Sequence, residues 1–233
     1  MVEVEAVTFR FEDMAMDFTL AAQTGACLGI LGPSGAGKTT LLNLIAGFET
    51  ALSGRIAIDG VDVTRLPPAR RPVSMLFQEH NLFAHLSVAA NVGLGIDPGL
   101  RLTREDRARV ADALAHVGLG GLARRLPGQL SGGERQRAAL ARAFVRRRPV
   151  LLLDEPFAAL GPALRREMLD LVDSLRRKAG LTVLMVSHQP EDARRIAERT
   201  AFVFEGRVLA EGPTAALLDA PPVAELAAYL GRG

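Results

Sequence analysis

The sequence predicts an α/β fold, because short apolar runs typical of buried parallel strands are followed by a loop or a helix-forming segment. Residues 26–31 (ACLGIL) and 149–153 (PVLLL) are two such runs, and neither contains a charged side chain. Continuous apolar runs of this length are typical of strands that are covered on both faces of a sheet. The segments VSMLF and LTVLMVS predict two further strands, which end just before Gln78 and His188.

Length and composition are those of one large globular domain, or of a domain with an inserted subdomain. The chain has 233 residues, of which 48% are apolar and 23% are charged, so disordered and fibrous classes are excluded. The sequence pI of about 9.2 is only weak evidence for a nucleic-acid partner, because the net charge is no more than +2, and we expect none. Cys27 is the single cysteine, which excludes an internal disulfide and indicates a reducing compartment.

No segment of the sequence predicts a signal peptide or a membrane span. The first nine residues, MVEVEAVTF, carry two glutamates where a signal peptide needs positive charge. The uncharged stretch of residues 80–96 contains His, Asn and Gly and is too polar to cross a bilayer. We therefore expect the protein to stay in the cytosol unless another protein holds it at a membrane.

A glycine-rich loop follows the first apolar run and predicts a nucleotide site. Residues 32–39 read GPSGAGKT, which is the P-loop pattern GxxxxGK[ST] between a strand and a helix that should end at Gly47. Glycines let the backbone approach phosphate oxygens, and free N–H groups at the helix start donate to them. A chance match is expected in roughly one chain in a hundred. The predicted nucleotide-binding residues of this loop are Gly32, Pro33, Ser34, Gly35, Ala36, Gly37, Lys38, Thr39 and Thr40.

An acidic pair after the PVLLL strand narrows the class, since a P-loop alone also occurs in GTPases, small-molecule kinases and recombinase-like ATPases. Asp154 would lie beside the P-loop and hold Mg²⁺ with the Thr39 hydroxyl. Glu155 could orient a water for attack on the γ-phosphate, while Lys38 reaches the β- and γ-phosphates. The alternative is that the two acids only cap the following helix.

The segment LSGGE, residues 130–134, predicts a second anion site. Ser131 and Glu134 fit a capping box, so a helix should begin there and run to about Arg148. One triphosphate does not need two cradles, whereas two copies arranged head to tail would each offer this loop to the other's nucleotide. The alternative is an ordinary capped helix.

Together, GPSGAGKT, LSGGE and LLLDEP resemble the ATP-binding-cassette (ABC) family of nucleotide-binding subunits. The resemblance implies a P-loop NTPase with a RecA-like core, an antiparallel β region near the N-terminus and an inserted helical subdomain. It implies a single nucleotide-binding domain over residues 1–233. Residues 1–78 and 149–233 would form the ATP-binding core, and residues 79–148 the helical subdomain with LSGGE.

The resemblance also implies roles for residues outside the P-loop. Gln78 matches the glutamine that senses Mg²⁺ and the γ-phosphate, and His188 matches the switch histidine; with Glu155 they form the expected catalytic set. Phe11 matches the aromatic residue that stacks on adenine, although the neighbouring Phe9 is an alternative and either could belong to the core. The expected Mg²⁺ set is Thr39, Gln78 and Asp154.

Two departures from the family pattern concern the contacts between paired cassettes. Glu134 stands where glutamine is usual, whereas Ser131 and Gly133, which contact the partner's nucleotide in the family, are present. Ala158 and Gly161 stand where serine and aspartate are common. The missing aspartate affects the expected communication between the two sites, not nucleotide binding.

An ABC cassette without a membrane span resembles the motor subunit of a bacterial importer, bound to a permease at the cytoplasmic face of the inner membrane. The resemblance implies ATP and Mg²⁺ as cofactors, a homodimer of ATPase subunits, and indirect cooperation with a periplasmic solute-binding protein. The permease would dock near residues 78–86, where Leu82, Phe83 and Leu86 look exposed; packing within the helical subdomain is the alternative.

Residues 70–100 and the segments LLNLIAGFETALSGRIAIDGVDVT and LPGQLSGGERQRAALAR resemble the ATPase subunits of bacterial thiamine importers. In such importers the permease and the solute-binding protein recognise the solute, so no residue of this chain is expected to contact it. Polyamine, iron and sulfate importers have closely related motors and stay open as alternatives. A soluble ABC ATPase without a transport role is a further alternative.

Overall fold

The computed structural model describes residues 1–77 and 82–232, and the described chain forms one mixed sheet with helices on both faces. The strands are β1 (Val2–Phe11), β2 (Met14–Ala22), β3 (Cys27–Leu31), β4 (Ser53–Ile58), β5 (Val61–Asp62), β6 (Val73–Leu76), β7 (Val150–Asp154), β8 (Thr182–Val186), β9 (Arg199–Phe204) and β10 (Arg207–Pro213). The helices are α1 (Lys38–Ala46), α2 (Val88–Gly93), α3 (Arg104–His116), α4 (Gly132–Phe144), α5 (Pro162–Ala179), α6 (Pro190–Ile196), α7 (Thr214–Asp219) and α8 (Ala224–Tyr229).

The ten strands are ordered β5-β4-β1-β2-β10-β9-β3-β8-β7-β6. Neighbours among β9, β3, β8, β7 and β6 pair in parallel. The N-terminal strands β1, β2, β4 and β5 pair antiparallel, as the sequence analysis expects. The β9–β10 hairpin joins the two halves, because β10 also pairs with β2.

The predicted apolar runs form fully buried strands, since every residue of β3, β7 and β8 is buried. Successive side chains of a strand point to opposite faces of the sheet. Accordingly, Leu28 and Ile30 join the core cluster that contains the apolar residues of α1. Cys27 and Leu31 join a second cluster that contains residues of α3, α4 and α5. These strands are therefore the rigid centre of the molecule.

Helix ends follow the expected signals at most positions. Gly47 closes α1 and Gly180 closes α5, both in the left-handed conformation. Thr103 caps α3 through a complete capping box with Asp106. Among the described residues, no helix is both long enough and apolar enough to cross a membrane.

The prediction that α4 runs to about Arg148 is wrong, because the helix ends at Phe144. Arg147 adopts a left-handed conformation with φ of 53°, which cannot continue a right-handed helix. Arg148 precedes Pro149, and the proline ring disfavours helical geometry in the preceding residue. The described chain between β6 and β7 contains α2, α3 and α4, and these three helices pack against one another.

Candidate functional site

The predicted site residues follow the carboxyl ends of adjacent parallel strands. Gly32 follows β3, His188 comes two residues after β8, and Asp154 is the last residue of β7. Strands β3, β8 and β7 are direct neighbours, so their ends meet at one edge of the sheet. Gln78 comes two residues after β6, the next strand along, and itself lies outside the described residues. Ligands of open α/β sheets bind at this kind of edge.

Close packing fixes the course of the glycine-rich loop. A Cβ atom on Gly32 would lie 2.0 Å from the carbonyl oxygen of Val203, so no larger residue fits there. Gly37 has φ of 98°, and a Cβ at this position would contact Met16 and Phe18 of β2 at 3.2 and 3.3 Å. The backbone therefore wraps tightly between β3 and α1 with its N–H groups available to a phosphate.

The Lys38 ammonium group is buried against the loop that precedes it. Its Nζ donates hydrogen bonds to the carbonyl oxygens of Gly32 at 2.8 Å and Pro33 at 2.7 Å. Burial lowers the pKa of Lys38, and the carboxylates of Glu155 and Asp154 partly oppose that shift. The Lys38 ammonium group and the N–H groups of the glycine-rich loop together form a positive centre of the kind that binds phosphate groups.

Thr39 and Asp154 form a pair of hard oxygen ligands. The Thr39 hydroxyl donates to Oδ1 of Asp154 at 3.1 Å, and the aspartate is almost fully buried. Burial raises the pKa of Asp154, whereas the hydrogen bond from Thr39 lowers it. Residues 1–77 and 82–232 contain no group of three or more His, Cys, Asp or Glu side chains that could hold a metal ion. The pair suits Mg²⁺, which binds through one or two carboxylates together with water and phosphate oxygens.

The structure brings Glu155 and His188 together. Oε2 of Glu155 lies 3.1 Å from Nδ1 of His188, and both side chains are partly exposed. Glu155 has φ of 44°, and its backbone N–H donates to the carbonyl oxygen of Val186 on β8. The strained backbone turns the carboxylate out of the line of β7 and towards the imidazole. The pair can orient a water molecule and accept a proton from it.

The loop that carries His188 is held by a network that the sequence analysis missed. The Ser187 hydroxyl donates to Asp192 at 2.6 Å and accepts from the backbone N–H of Gln189 at 3.0 Å. The N–H of Ser187 donates to the carbonyl oxygen of Ile30, the penultimate residue of β3. A serine directly before the histidine and an acid in the first turn of α6 are the only sequence signals for this network.

The LSGGE segment forms the capped start of α4. Oε2 of Glu134 accepts from the N–H of Ser131 at 2.7 Å, and the Ser131 hydroxyl accepts from the N–H of Glu134 at 3.3 Å. These bonds lower the pKa of Glu134, so the carboxylate is charged and completes the capping box. A Cβ on Gly133 would lie 2.9 Å from a methyl group of Leu164. The Ser131 hydroxyl accepts one bond and keeps its proton for an anion.

Phe11 and Phe9 differ in exposure. Phe11 is the last residue of β1 and is 54% exposed, whereas Phe9 is only partly exposed and packs against the core. Phe9 also lies directly opposite Met16, the residue that approaches Gly37. Because an adenine-stacking side chain has to be accessible, these positions favour Phe11 as the stacking residue.

Comparison with protein families matches more than half of the chain, and comparison with curated proteins matches almost all of it. A family model described as ABC transporter matches residues 15–158. The chain is 56% identical over 231 residues to the thiamine import ATP-binding protein ThiQ of Brucella suis biovar 1, and the match covers 99% of this chain and 96% of that protein. It is 54% identical to the ThiQ of Escherichia coli K12, with 94% of each chain covered.

Solved structures of ATP-binding cassettes also match more than nine tenths of the chain. One is an ATP-binding cassette of an ABC transporter in its ADP conformation, with a TM-score of 0.89, 26% identity and 97% of both chains covered. Another is a dimeric ATP-binding cassette in a post-hydrolysis state with ADP and Pi. Its TM-score is 0.78 and its identity 30%, with 92% of this chain and 99% of that chain covered. The α/β fold of a nucleotide-binding cassette is therefore confirmed.

Proposed function

We propose, from the premise that this chain belongs to the ABC transporter family, that it is the ATP-hydrolysing motor of a bacterial importer and that the imported solute is thiamine. The observation that carries the proposal is the identity of 54–56% over almost the whole chain to thiamine import ATP-binding proteins. The resemblance seen in GPSGAGKT, LSGGE and LLLDEP is thereby confirmed. Roles of individual residues are part of the proposal, and the geometry of the site supports them.

ATP binds with its phosphates in the loop between β3 and α1. Backbone N–H groups of residues 34–39 donate to the phosphate oxygens, and Lys38 exchanges its carbonyl partners for the β- and γ-phosphates. Phe11 stacks on the adenine. Thr39 and Asp154 would hold Mg²⁺ together with Gln78, and the ion would neutralise charge on the phosphate oxygens.

Hydrolysis depends on the acidic group at the end of β7. Glu155 orients a water molecule in line with the γ-phosphate and accepts its proton. His188 stays within hydrogen-bond distance of Glu155 and presents the rest of its ring to the γ-phosphate. Gln78 reports the state of the nucleotide to the helical region.

The second cradle, at the start of α4, serves a partner copy of the chain. Ser131 and Gly133 contact the nucleotide on the partner's P-loop, so ATP closes a head-to-tail dimer and hydrolysis opens it. A charged Glu134 holds Ser131 in place through the capping box. The dimeric state of a similar cassette with ADP and Pi supports this arrangement.

A groove of about 810 Å³ between β6 and α4 suits the permease. Phe48, Phe77 and Phe83 line it with exposed fractions between 38% and 54%. Leu82 and Leu86 are only partly exposed, and Leu82 packs against the helical core, so the expectation of exposure holds for Phe83 and not for the two leucines. The permease would hold the protein at the cytoplasmic face of the inner membrane. It would also link the protein to a periplasmic solute-binding protein.

Uptake of labelled thiamine tests the proposal in cells that lack this gene. Complementation with the wild-type chain should restore uptake, and complementation with Glu155→Gln should not. Uptake of labelled polyamine, iron and sulfate in the same cells is the matched control and should not depend on the gene. Thiamine uptake that persists without the gene, together with loss of one of the other solutes, would reassign the solute and leave the motor function in place.

A further inference from the structure

A hydroxyl group outside the sequence motifs contacts the loop that carries His188. Tyr229, the last residue of α8, donates a hydrogen bond from its hydroxyl to the main-chain carbonyl oxygen of His188 at 2.7 Å. The imidazole of the same histidine lies 3.1 Å from Glu155. One side chain of the C-terminal helix therefore contacts the residue that is paired with the proposed water-orienting carboxylate.

The core of the molecule fixes the position of this hydroxyl. The Tyr229 ring packs on Phe202, with ring centroids 5.5 Å apart, and Phe202 is fully buried in β9. Phe202 pairs with Leu31, the last residue before the glycine-rich loop. Leu226, one turn before Tyr229, is also fully buried. A side chain anchored in this way provides a rigid hydrogen-bond donor.

Tyr229 lies close to three segments of the proposed site. Burial raises the pKa of the Tyr229 phenol, while the backbone of Gly32 lowers it and the charge of Glu155 raises it. The phenol is therefore protonated near neutral pH and able to donate. Its neighbours belong to the glycine-rich loop, to the end of β7 and to the loop after β8.

The three-residue loop between β8 and α6 has fixed contacts on both sides of His188. Ser187 and Gln189 are tied together through the Ser187 hydroxyl, which is itself bound to Asp192. The His188 carbonyl points away from this network and accepts from Tyr229. Loss of that bond would leave the peptide after His188 held only through the Gln189 N–H, which donates to Ser187, and the imidazole could then shift away from Glu155.

We propose that Tyr229 is a positioning residue for ATP hydrolysis, which holds the His188 carbonyl and thereby keeps the imidazole against Glu155. The inference rests on the roles proposed above for Glu155 and His188. Tyr229 acts on the geometry of the hydrolytic pair, so its effect should fall on turnover more than on ATP binding.

The test is steady-state ATP hydrolysis by the full-length chain with the substitution Tyr229→Phe, which removes only the hydroxyl. We expect kcat to fall about threefold to tenfold, as for the loss of one hydrogen bond, and the KM for ATP to stay within about twofold. Thr200→Val is the control, because it removes a hydroxyl near the start of β9 that bonds to Thr214 and does not contact the loop of His188. An unchanged kcat in Tyr229→Phe, or an equal loss in Thr200→Val, would overturn the inference.

The chain offers a spectroscopic check, because Tyr229 is its only tyrosine and it has no tryptophan. The tyrosine doublet in ultraviolet resonance Raman spectra reports whether a phenol donates a hydrogen bond. We expect the pattern of a strong donor in the wild-type protein, and a non-donor pattern would contradict the inference. Glu155→Gln separates the two proposals: if that variant loses turnover and Tyr229→Phe does not, only the role of Tyr229 fails, whereas full turnover in Glu155→Gln removes the proposed hydrolytic pair itself.

Discussion

Lys38 is the residue on which we expect phosphate binding to depend most directly. It is one of two lysines in a chain whose other basic side chains are arginine, and its buried ammonium group lies against the loop carbonyls. We expect Lys38→Ala to weaken ATP binding about 10- to 100-fold, since a hydrogen bond to a charged group contributes about 1.5–3 kcal/mol. Isothermal titration calorimetry measures this directly. Lys178→Ala, which changes the other lysine, should leave the affinity within about twofold; equal losses in both variants would contradict a specific role of Lys38.

For single residues, the sequence predicts which side chains supply the chemistry of the site better than it predicts which side chains contact one another. The P-loop pattern and the acidic pair identify Lys38, Thr39, Asp154 and Glu155 because each residue type serves a fixed chemical need at a fixed spacing. The contact between Glu155 and His188 joins residues 33 positions apart, so no local pattern could show it. Tyr229 was missed for the same reason, since its partner is 41 positions away.

At the scale of single elements, the start of α5 shows that Gly161 is not needed by the fold. Gly161 is the N-cap residue with extended geometry, its helix has no side-chain cap, and an added Cβ would meet no atom within 4 Å. We expect Gly161→Asp to raise the free energy of unfolding by about 0.5–1 kcal/mol, through a new cap and a less flexible unfolded chain. Urea denaturation measures the change.

Gly161→Ala is the control for that substitution. It adds a Cβ without an acceptor for the helix N–H groups, so it should be less stable than Gly161→Asp by about 1 kcal/mol. Equal stability of the two variants would show that no cap forms. The aspartate that is common at this position in the family would then act through contacts with the partner copy and not through helix capping.

Element bounds were predictable where a single residue type dictates the backbone. The glycine after α1 and the capping box of α4 act as expected, and the glycine after α5 and the capping box of α3 follow the same rules. The end of α4 was not predictable from its composition, because three successive arginines are good helix formers. Pro149 and the start of the buried strand β7 override that propensity, and Arg147 takes a left-handed conformation to make the turn.

At the scale of the whole molecule, Arg71 connects the antiparallel half of the sheet to the helix that follows the P-loop. Its guanidinium is almost fully buried and donates to the carbonyl oxygens of Leu44 and Ile45 in α1 and of Thr64 and Leu66 after β5. We expect Arg71→Met to lower the free energy of unfolding by about 3 kcal/mol, because several buried carbonyls lose their donor. Arg70→Met, at the exposed neighbouring position, should change it by less than about 0.5 kcal/mol in the same urea titration. Similar values for the two variants would contradict this role of Arg71.

The order of the strands in the sheet could not be predicted from the sequence, although the position of the site at one edge of the sheet could. Buried runs followed by polar residues predict that the site lies at one edge of a parallel sheet. They do not reveal that β3 lies between β9 and β8, because strand pairing depends on tertiary packing rather than on local pattern. That order is what sets the P-loop beside the loop of His188 and keeps Asp154 within reach of Thr39.

The proposed mechanism depends on Glu155 as the group that orients water for ATP hydrolysis. Phosphate release by Glu155→Gln, with ATP affinity measured on the same preparation, tests this role. We expect wild-type affinity and a turnover lower by about 10²- to 10⁴-fold. Glu205→Gln is the control, since Glu205 is also a glutamate with a left-handed backbone, with φ of 45°, in the turn between β9 and β10. Turnover close to wild type in Glu155→Gln, or an equal loss in Glu205→Gln, would contradict this role of Glu155.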